Sequence, residues 1–241
     1  MTAVQWIICA LCCCFATAVQ TVSGFGFGIL VMAMLPHVLH STVECSVMVG
    51  LTSIVNSFAI GWRYRRKIRI ATTFLPLIGF LPVSYLCISL AKAAGESILR
   101  VILGLCLVGL GLYFIFLNGK IRLKNTVPNA IAAGGIAGLL SGLFSTGGPP
   151  LVIWFLSVTA DMEEYIGSMQ GIFFIMNSYN SVIRGIKGMI TPRVLLLAAL
   201  AMAMTLPGIW LGRKAMGRIS ERQQKIVIYS LMIVSGILLL F

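Results

Sequence analysis

The residues best suited to chemistry lie in two polar interruptions of otherwise apolar sequence. The first is SGFGFG, from Ser23 to Gly28, and the second is STGGPP, from Ser145 to Pro150. A turn inside a bilayer leaves backbone groups unpaired, which is tolerated only where protein or a polar cavity surrounds it. A helix that begins at such a turn exposes free N–H groups and carries about half a positive unit charge. Both interruptions therefore predict anion binding.

We expect the hydroxyl and glycine residues of the interruptions to contact the anion. Glycine lets a ligand approach the backbone, a hydroxyl can cap the helix or donate, and paired prolines suit a first helical turn. Close helix packing is the alternative for the glycines, and it fits SGFGFG better than STGGPP, because adjacent prolines cannot continue a helix. The expected ligands are Ser23, Gly26, Gly28, Ser145, Thr146, Gly147 and Gly148.

Polar residues also recur on one face of two later segments. Asparagine amides can donate to an oxyanion, and the planar guanidinium of arginine binds oxyanions through two parallel N–H groups. The alternatives are interhelical hydrogen bonds for the asparagines and interfacial snorkelling for the arginines. The expected ligands are Asn56, Arg63, Asn177 and Arg184, with Gln20 and Gln170 as weaker candidates.

A metal-dependent enzyme is a competing interpretation, because His37, His40 and Glu44 could share one helical face. However, Pro36 predicts a loop there, and no fourth ligand is apparent. The chain also lacks a nucleophile elbow and a phosphate-binding loop. We therefore expect no enzyme activity, cofactor or metal. A structural subunit of a partner complex is a further alternative.

Composition identifies an integral membrane protein. The 241 residues are 59% hydrophobic and only 10% charged, whereas soluble domains carry about 25% charged residues. The net charge of +12 has two interpretations. It reflects basic cytoplasmic loops and their attraction to anionic lipid headgroups, or part of it draws an anionic substrate toward a pore. We expect a lipid bilayer and a small anion as partners and no nucleic acid. The sequence leaves open whether the chain forms a homo-oligomer.

The positioning elements are apolar runs with the length of membrane spans. Two of them exceed 30 residues and contain the interruptions, so each is interpreted as two helices around a break. The runs are 3–35, 42–62, 70–90, 98–117, 127–158, 165–183, 193–212 and 223–241.

The chain is an internal duplication. Sliding it by 121 residues places Gly26 on Gly147, and the same shift pairs the two asparagines and the two arginines named above. We predict a first repeat at 1–117, a basic linker at 118–126 and a second repeat at 127–241. The expected fold is an all-α polytopic membrane protein, each repeat having a broken or re-entrant helix pair plus three transmembrane helices. Paired breaks of this kind point to a transporter's binding site.

Charge favours an inverted arrangement of the two repeats. If each broken segment returns to its own side, the basic stretch 63–69, the linker and the basic loop 212–225 all lie in the cytoplasm, as basic loops prefer. If each broken segment crosses once, the repeats are parallel and the loop 212–225 lies outside.

The sequence resembles the TauE/SafE family, also called the sulfite exporter family. The residues that carry the resemblance are SGFGFGILVMAMLPHVL, from Ser23 to Leu39, and GLLSGLFSTGGPPLVIWFL, from Gly138 to Leu156. Length, duplication and segment number extend it over essentially the whole chain. Family members often have more adjacent glycines in the first motif, where Phe25 and Phe27 intervene here.

This resemblance implies a multi-pass permease of a bacterial-type cytoplasmic membrane. Its substrates would be small sulfur-containing anions such as sulfite or organosulfonates, and export is the expected direction. A passive anion channel and a permease for another small organic anion are the alternatives.

Overall fold

The computed structural model describes residues 3–117, 123–215 and 221–240. Part of the predicted linker and of the loop 212–225 therefore lies outside the described residues. The secondary structure within these ranges is helical. The helices are α1 Ala3–Ser23, α2 Phe27–Leu39, α3 Thr42–Gly61, a 3-10 helix Trp62–Lys67, α4 Ile70–Phe74, α5 Leu77–Ala93, α6 Glu96–Leu117, α7 Val127–Phe144, α8 Gly148–Val158, α9 Met162–Ile186, α10 Pro192–Ala203, α11 Thr205–Ala215 and α12 Glu221–Leu240.

Among the described residues, six helical stretches are long and apolar enough to cross a membrane. Many large apolar side chains on their outer faces are exposed, including Ile78, Leu86 and Leu90 of α5, as a lipid-facing surface requires. The prediction of an all-α polytopic membrane protein is confirmed. The six stretches are Ala3–Ser23, Thr42–Lys67, Ile70–Ala93, Glu96–Phe116, Val127–Phe144 and Pro192–Ala215.

The two predicted breaks interrupt the helices where glycine and proline require it. After α1, Gly24 and Gly26 adopt φ values of 79° and 111°, which glycine reaches without steric cost. In contrast, Pro36 does not mark a loop, because α2 continues through it to Leu39. The proline lies close to the helix end, so it sacrifices little of the intrahelical hydrogen bonding. The expectation of a loop at Pro36 is therefore wrong.

Each broken helix pair folds back on itself as a hairpin. In the first pair, the Gln5 side chain near the start of α1 donates to the carbonyl of Val38 near the end of α2, at 3.2 Å. In the second pair, the backbone N–H of Leu123, before α7, donates to Ser157 near the end of α8, at 3.0 Å. The start and end of each pair therefore lie on the same side of the molecule.

Helices α3 and α9 pack together in opposite directions. Gly50 of α3 lies beside Arg184 near the end of α9, whereas Gly61, at the end of α3, lies beside Gln170 in the first half of α9. Most of one face of α9 is buried. These two helices hold the hairpins at the centre of the fold.

Small residues bring the remaining helices close together. A Cβ atom on Gly138 of α7 would lie 2.8 Å from the carbonyl oxygen of Phe80 in α5, and one on Gly208 of α11 would lie 2.6 Å from Cβ of Thr17 in α1. Contacts this short exclude any larger residue. Helix packing therefore explains these glycines, which lie outside the two breaks.

Candidate functional site

The two breaks meet at one small cavity. Its volume is about 30 Å³, and since a water molecule needs roughly 10–15 Å³ on this measure, it holds about two. Both interruptions and the polar face of α9 contribute to its walls. The lining residues are Gln20, Gly26, Phe27, Gly28, Ile29, Ser53, Ser141, Ser145, Thr146, Gly147, Gly148, Phe173, Met176 and Asn177. We call this space the break cavity.

Two helix N-termini border the break cavity. The first-turn N–H groups of a helix have no intrahelical partner, and in α2 they belong to the lining residues 27–29. In α8 the lining residues Gly147 and Gly148 keep such N–H groups, while Pro149 and Pro150 have none. The helix dipoles add positive potential to the cavity at both termini. This arrangement suits a small anion.

Ser145 fixes the end of α7 beside the break cavity. Its φ of 57° makes it one of two non-glycine residues with a positive φ in the described ranges, a conformation that costs energy for an L residue. Its Oγ donates to the carbonyl of Ser46 in α3 at 2.8 Å and accepts from Arg184 in α9 at 2.7 Å. Ser145 therefore joins three helices, and these bonds hold its strained backbone.

Arg184 lies directly behind this wall and is only 1% exposed. Its Nη1 donates to the Ser46 carbonyl at 2.8 Å and to Ser145, and its Nη2 donates to the carbonyls of Ser141 and Gly142 at 3.2 and 3.1 Å. Its Nε is buried without a hydrogen-bond partner. The interfacial snorkelling considered for Arg184 is therefore wrong.

The charge of Arg184 has no acidic partner in the structure as described. The ion pairs within the described ranges involve other basic residues, and no acidic residue lines the break cavity. Arg184 bonds to two residues of the cavity wall, Ser141 and Ser145, without lining the cavity itself. The cavity therefore sits between a buried cation and two positive helix ends.

Thr146 and Asn177 have side chains that are available at the cavity wall. The Thr146 hydroxyl lies 3.4 Å from the Leu140 carbonyl, a long and weak hydrogen bond. The Asn177 amide donates to the Phe173 carbonyl of its own helix at 2.8 Å. Their weak or local bonds leave hydrogen-bonding capacity for a ligand. The structure brings these two predicted residues together, along with Gly26, Gly28, Ser145, Gly147 and Gly148.

Ser23 lies at the first break but outside the cavity lining. Its hydroxyl lies 2.9 Å from the carbonyl oxygen of Val19 and 2.6 Å from that of Phe25, and its single O–H donates to one of them at a time. Ser23 therefore satisfies the backbone of the break in this conformation.

Asn56 is likewise absent from the lining. Its amide donates to Thr17 in α1 at 3.3 Å, and its carbonyl oxygen accepts from Thr205 in α11 at 2.6 Å. Both ends of the side chain are occupied, so Asn56 forms the interhelical hydrogen bonds that were its alternative explanation.

Arg63 does not reach the break cavity either. Helix α3 ends at Gly61, and the following 3-10 helix carries Arg63 to the exposed end of the bundle. There it lines a different cavity together with Tyr64 and Arg213. The structure therefore does not bring Arg63 and Arg184 together at one cavity, because the two helices end at different positions.

Several lining residues lack a strong signal in the sequence. Phe173 and Met176 lie within one turn of Asn177 on α9, and Ser141 lies one turn before Ser145 on α7. Helical spacing from the polar candidates could have found them. Of the weaker candidates, Gln20 lines the cavity. Its amide N–H donates to Gln170 at 3.2 Å, and its amide oxygen is buried without a hydrogen-bond partner among the described residues.

The proposed metal ligands do not come together. Glu44 pairs with Arg193 at 3.4 Å, whereas His37 and His40 line a cavity beside Glu96 and Arg100. Within the described ranges, no group of three or more histidine, cysteine or acidic residues could hold a metal ion. Among the residues that the structure describes, the ligand set that the metal-enzyme interpretation requires is therefore not brought together.

The chain is similar to known proteins over most of its length. The family model described as "Sulfite exporter TauE/SafE" matches residues 9–239. A curated relative, the "Probable sulfite/organosulfonate exporter TauE" of Cupriavidus necator, is 24% identical over 207 residues, covering 82% of this chain and 79% of the relative. No solved structure matches the chain significantly. With the family model spanning both breaks and nearly all the chain, the protein belongs to the TauE/SafE sulfite exporter family.

Proposed function

We propose that the protein exports a small sulfur-containing anion, such as sulfite or an organosulfonate, across the cytoplasmic membrane. The anion would bind in the break cavity, between the N-termini of α2 and α8. The family supports transport and the anion class, and the name of the relative supports sulfite and organosulfonates as first candidates.

One observation carries this proposal: positive charge surrounds the break cavity without a carboxylate to balance it. Two helix N-termini supply about half a unit charge each, and Arg184 adds a full charge behind Ser141 and Ser145. Uncompensated charge is costly inside a membrane, and a bound anion offsets that cost. The described lining holds no acidic residue that could do so.

We further propose that the two repeats are inverted. The helices matched by the duplication, α3 and α9, pack in opposite directions. Each hairpin returns to its own side, so each repeat would make three net crossings, and the second repeat would begin on the side opposite to the first. This count supports inversion and disfavours the parallel alternative.

Two ion pairs at comparable, though not exactly equivalent, places in the two repeats add support for the proposed duplication. Glu44 in the first turn of α3 pairs with Arg193 at the start of α10, at 3.4 Å. Glu164 in the first turn of α9 pairs with Arg69, which precedes α4, also at 3.4 Å.

Transporters built from two inverted repeats move one repeat against the other around a fixed site. We propose the same alternating access here.

A ligand-dependent thermal unfolding series on the detergent-purified protein tests the site. Sulfite, sulfate, sulfoacetate, isethionate, acetate and chloride are compared at matched ionic strength. A ligand at about 100 times its Kd stabilises a protein by roughly 2.7 kcal/mol. We expect stabilisation by certain sulfur oxyanions and none by chloride.

Thr146→Val serves as the site variant and Thr52→Val as its control. Both threonines are buried, but Thr146 lines the break cavity, whereas Thr52 lies outside it with a hydroxyl that has no partner. We expect Thr146→Val to reduce the sulfite response and Thr52→Val to retain it, with equal folded yields. An equal response of both variants would place the binding site elsewhere.

A further inference from the structure

A second cavity lies where α1, α3 and α11 end together. Its volume is about 170 Å³, larger than that of the break cavity. It is lined by Thr21 from α1, Ile60 and the 3-10 residues Arg63 and Tyr64 from the end of α3, and Ile209 and Arg213 from α11. We call it the arginine cavity.

The two arginines of this cavity differ from most of their basic neighbours. Lys67 pairs with Glu163 at 3.6 Å and Arg69 with Glu164 at 3.4 Å. Lys214 lies over the ring of Trp210, 4.9 Å from its centroid, and Arg65 lies over that of Trp62, at 4.3 Å.

Arg63 and Arg213 have no acidic or aromatic partner among the described residues. No acidic residue is among the described residues that line the arginine cavity. Two guanidinium groups that share a cavity repel each other, and a bound anion removes that repulsion while satisfying their N–H groups. Their arrangement therefore favours an anion between them.

The arginine cavity adjoins the break cavity along α1. Thr21 lines the arginine cavity, and the preceding residue, Gln20, lines the break cavity. The Gln20 side chain donates to Gln170 of α9, which itself donates to the Gly24 carbonyl at 2.8 Å. Consecutive residues of α1 thus line the two cavities, and the Gln20 side chain joins the wall of the break cavity to α9.

We propose that Arg63, Tyr64 and Arg213 form a second anion site, which binds a small oxyanion before or after it occupies the break cavity. The place on the transport path rests on the proposed function, whereas anion binding at the cavity does not. Guanidinium groups bind two oxygens of sulfite or sulfate at once, and the tyrosine hydroxyl can donate to a third. The phosphate of an anionic lipid headgroup offers the same chemistry.

Arginine footprinting with phenylglyoxal tests the site on the unaltered protein. The purified protein is modified in detergent with sulfate or with chloride at equal ionic strength, and mass spectrometry gives the rate at each arginine. We expect sulfate to slow the modification of Arg63 and Arg213 several-fold. Arg66 provides the control, because it is exposed on the same 3-10 helix and does not line the cavity. If sulfate leaves the modification rates of Arg63 and Arg213 unchanged, as it should at Arg66, the proposed anion site is wrong.

Lipid nanodiscs distinguish the two sources of the oxyanion. Protection of Arg63 and Arg213 in phosphatidylglycerol nanodiscs without sulfate, but not in phosphatidylcholine, identifies a headgroup phosphate as the occupant and overturns the place on the transport path. Protection by sulfate in both lipids supports a free anion.

Flux measurements then test the place on the transport path. The double variant R63Q/R213Q loses two charges from the cavity, and R65Q/R66Q loses two from the same surface outside it. In proteoliposomes, we expect the first to raise the KM for sulfite at least fivefold with an unchanged maximal rate, and the second to change neither. Equal KM values for the two double variants overturn the place of the arginine cavity on the transport path. Protected arginines in a protein without sulfite flux would instead contradict the proposed function and leave the anion site standing.

Discussion

Gly28 brings the first turn of α2 into backbone contact with the end of α7, so an added methyl group there tests the geometry of the site. A Cβ atom at this position would lie 2.4 Å from the carbonyl oxygen of Ser145 and 3.3 Å from the side chain of Val49. Ser145 cannot easily move away, because Ser46 and Arg184 hold its hydroxyl. The substitution Gly28→Ala must therefore push the two breaks apart.

The expected cost follows from a comparison with Gly148→Ala. Gly148 also lies in the first turn of a half-helix and lines the same cavity, but its added Cβ would be 3.5 Å from the nearest side-chain atom, Phe173, an ordinary contact. Both variants gain the helix preference of alanine, about 0.5–1 kcal/mol. The difference between them is thus the cost of overpacking, about 1–3 kcal/mol.

Thermal unfolding of the two purified variants in one detergent measures this difference. At about 2–4 °C per kcal/mol, Gly28→Ala should unfold about 2–12 °C below Gly148→Ala. Gly28→Ala should also lose sulfite-dependent stabilisation, since its cavity walls are displaced. If the two variants unfold at the same temperature, α2 and α7 are not in the contact described here, and the geometry of the break cavity is wrong.

Two further pairs of substitutions separate structural roles from ligand binding. Arg184→Gln should lower the free energy of unfolding by at least about 2 kcal/mol, because it leaves buried carbonyls without their charged donor. Arg63→Gln, at an exposed position, should change it by less than about 0.5 kcal/mol. Urea or thermal unfolding measures both, and equal losses would contradict the burial of Arg184. Asn56→Leu should lower the free energy of unfolding by about 1–2 kcal/mol without changing the affinity for sulfite. Asn177→Leu should lower the affinity for sulfite without changing the stability. Unfolding and binding titrations measure both quantities, and a loss of affinity in Asn56→Leu would return that residue to the site.

The breaks could be predicted from the sequence because their causes are local. Glycine at φ values of 79° and 111° and prolines in a first helical turn interrupt a helix wherever they occur. Membrane spans are equally local, since their length and apolarity follow from the bilayer. The meeting of both breaks at one cavity was expected from the proposed duplication, which places Gly26 on Gly147.

Partners and helix ends could not be predicted in the same way. Asn56 bonds to Thr17 and Thr205, which lie on other helices far along the chain, and no local pattern identifies such partners. Arg63 and Arg184 match in the proposed duplication, but α3 ends at Gly61 while α9 continues to Ile186. A shift of one turn in a helix end thus moves an arginine from the buried centre to the exposed surface.

The central claim is that the protein transports a small sulfur oxyanion, and counterflow in proteoliposomes tests it most directly. Vesicles loaded with excess unlabelled sulfite are diluted into a trace of labelled sulfite, and the label inside is followed over time. We predict a transient accumulation of label above equilibrium that saturates with sulfite concentration and is lost in Gly28→Ala. Passive equilibration without accumulation would indicate a channel, and uptake no faster than in protein-free vesicles would contradict sulfite transport.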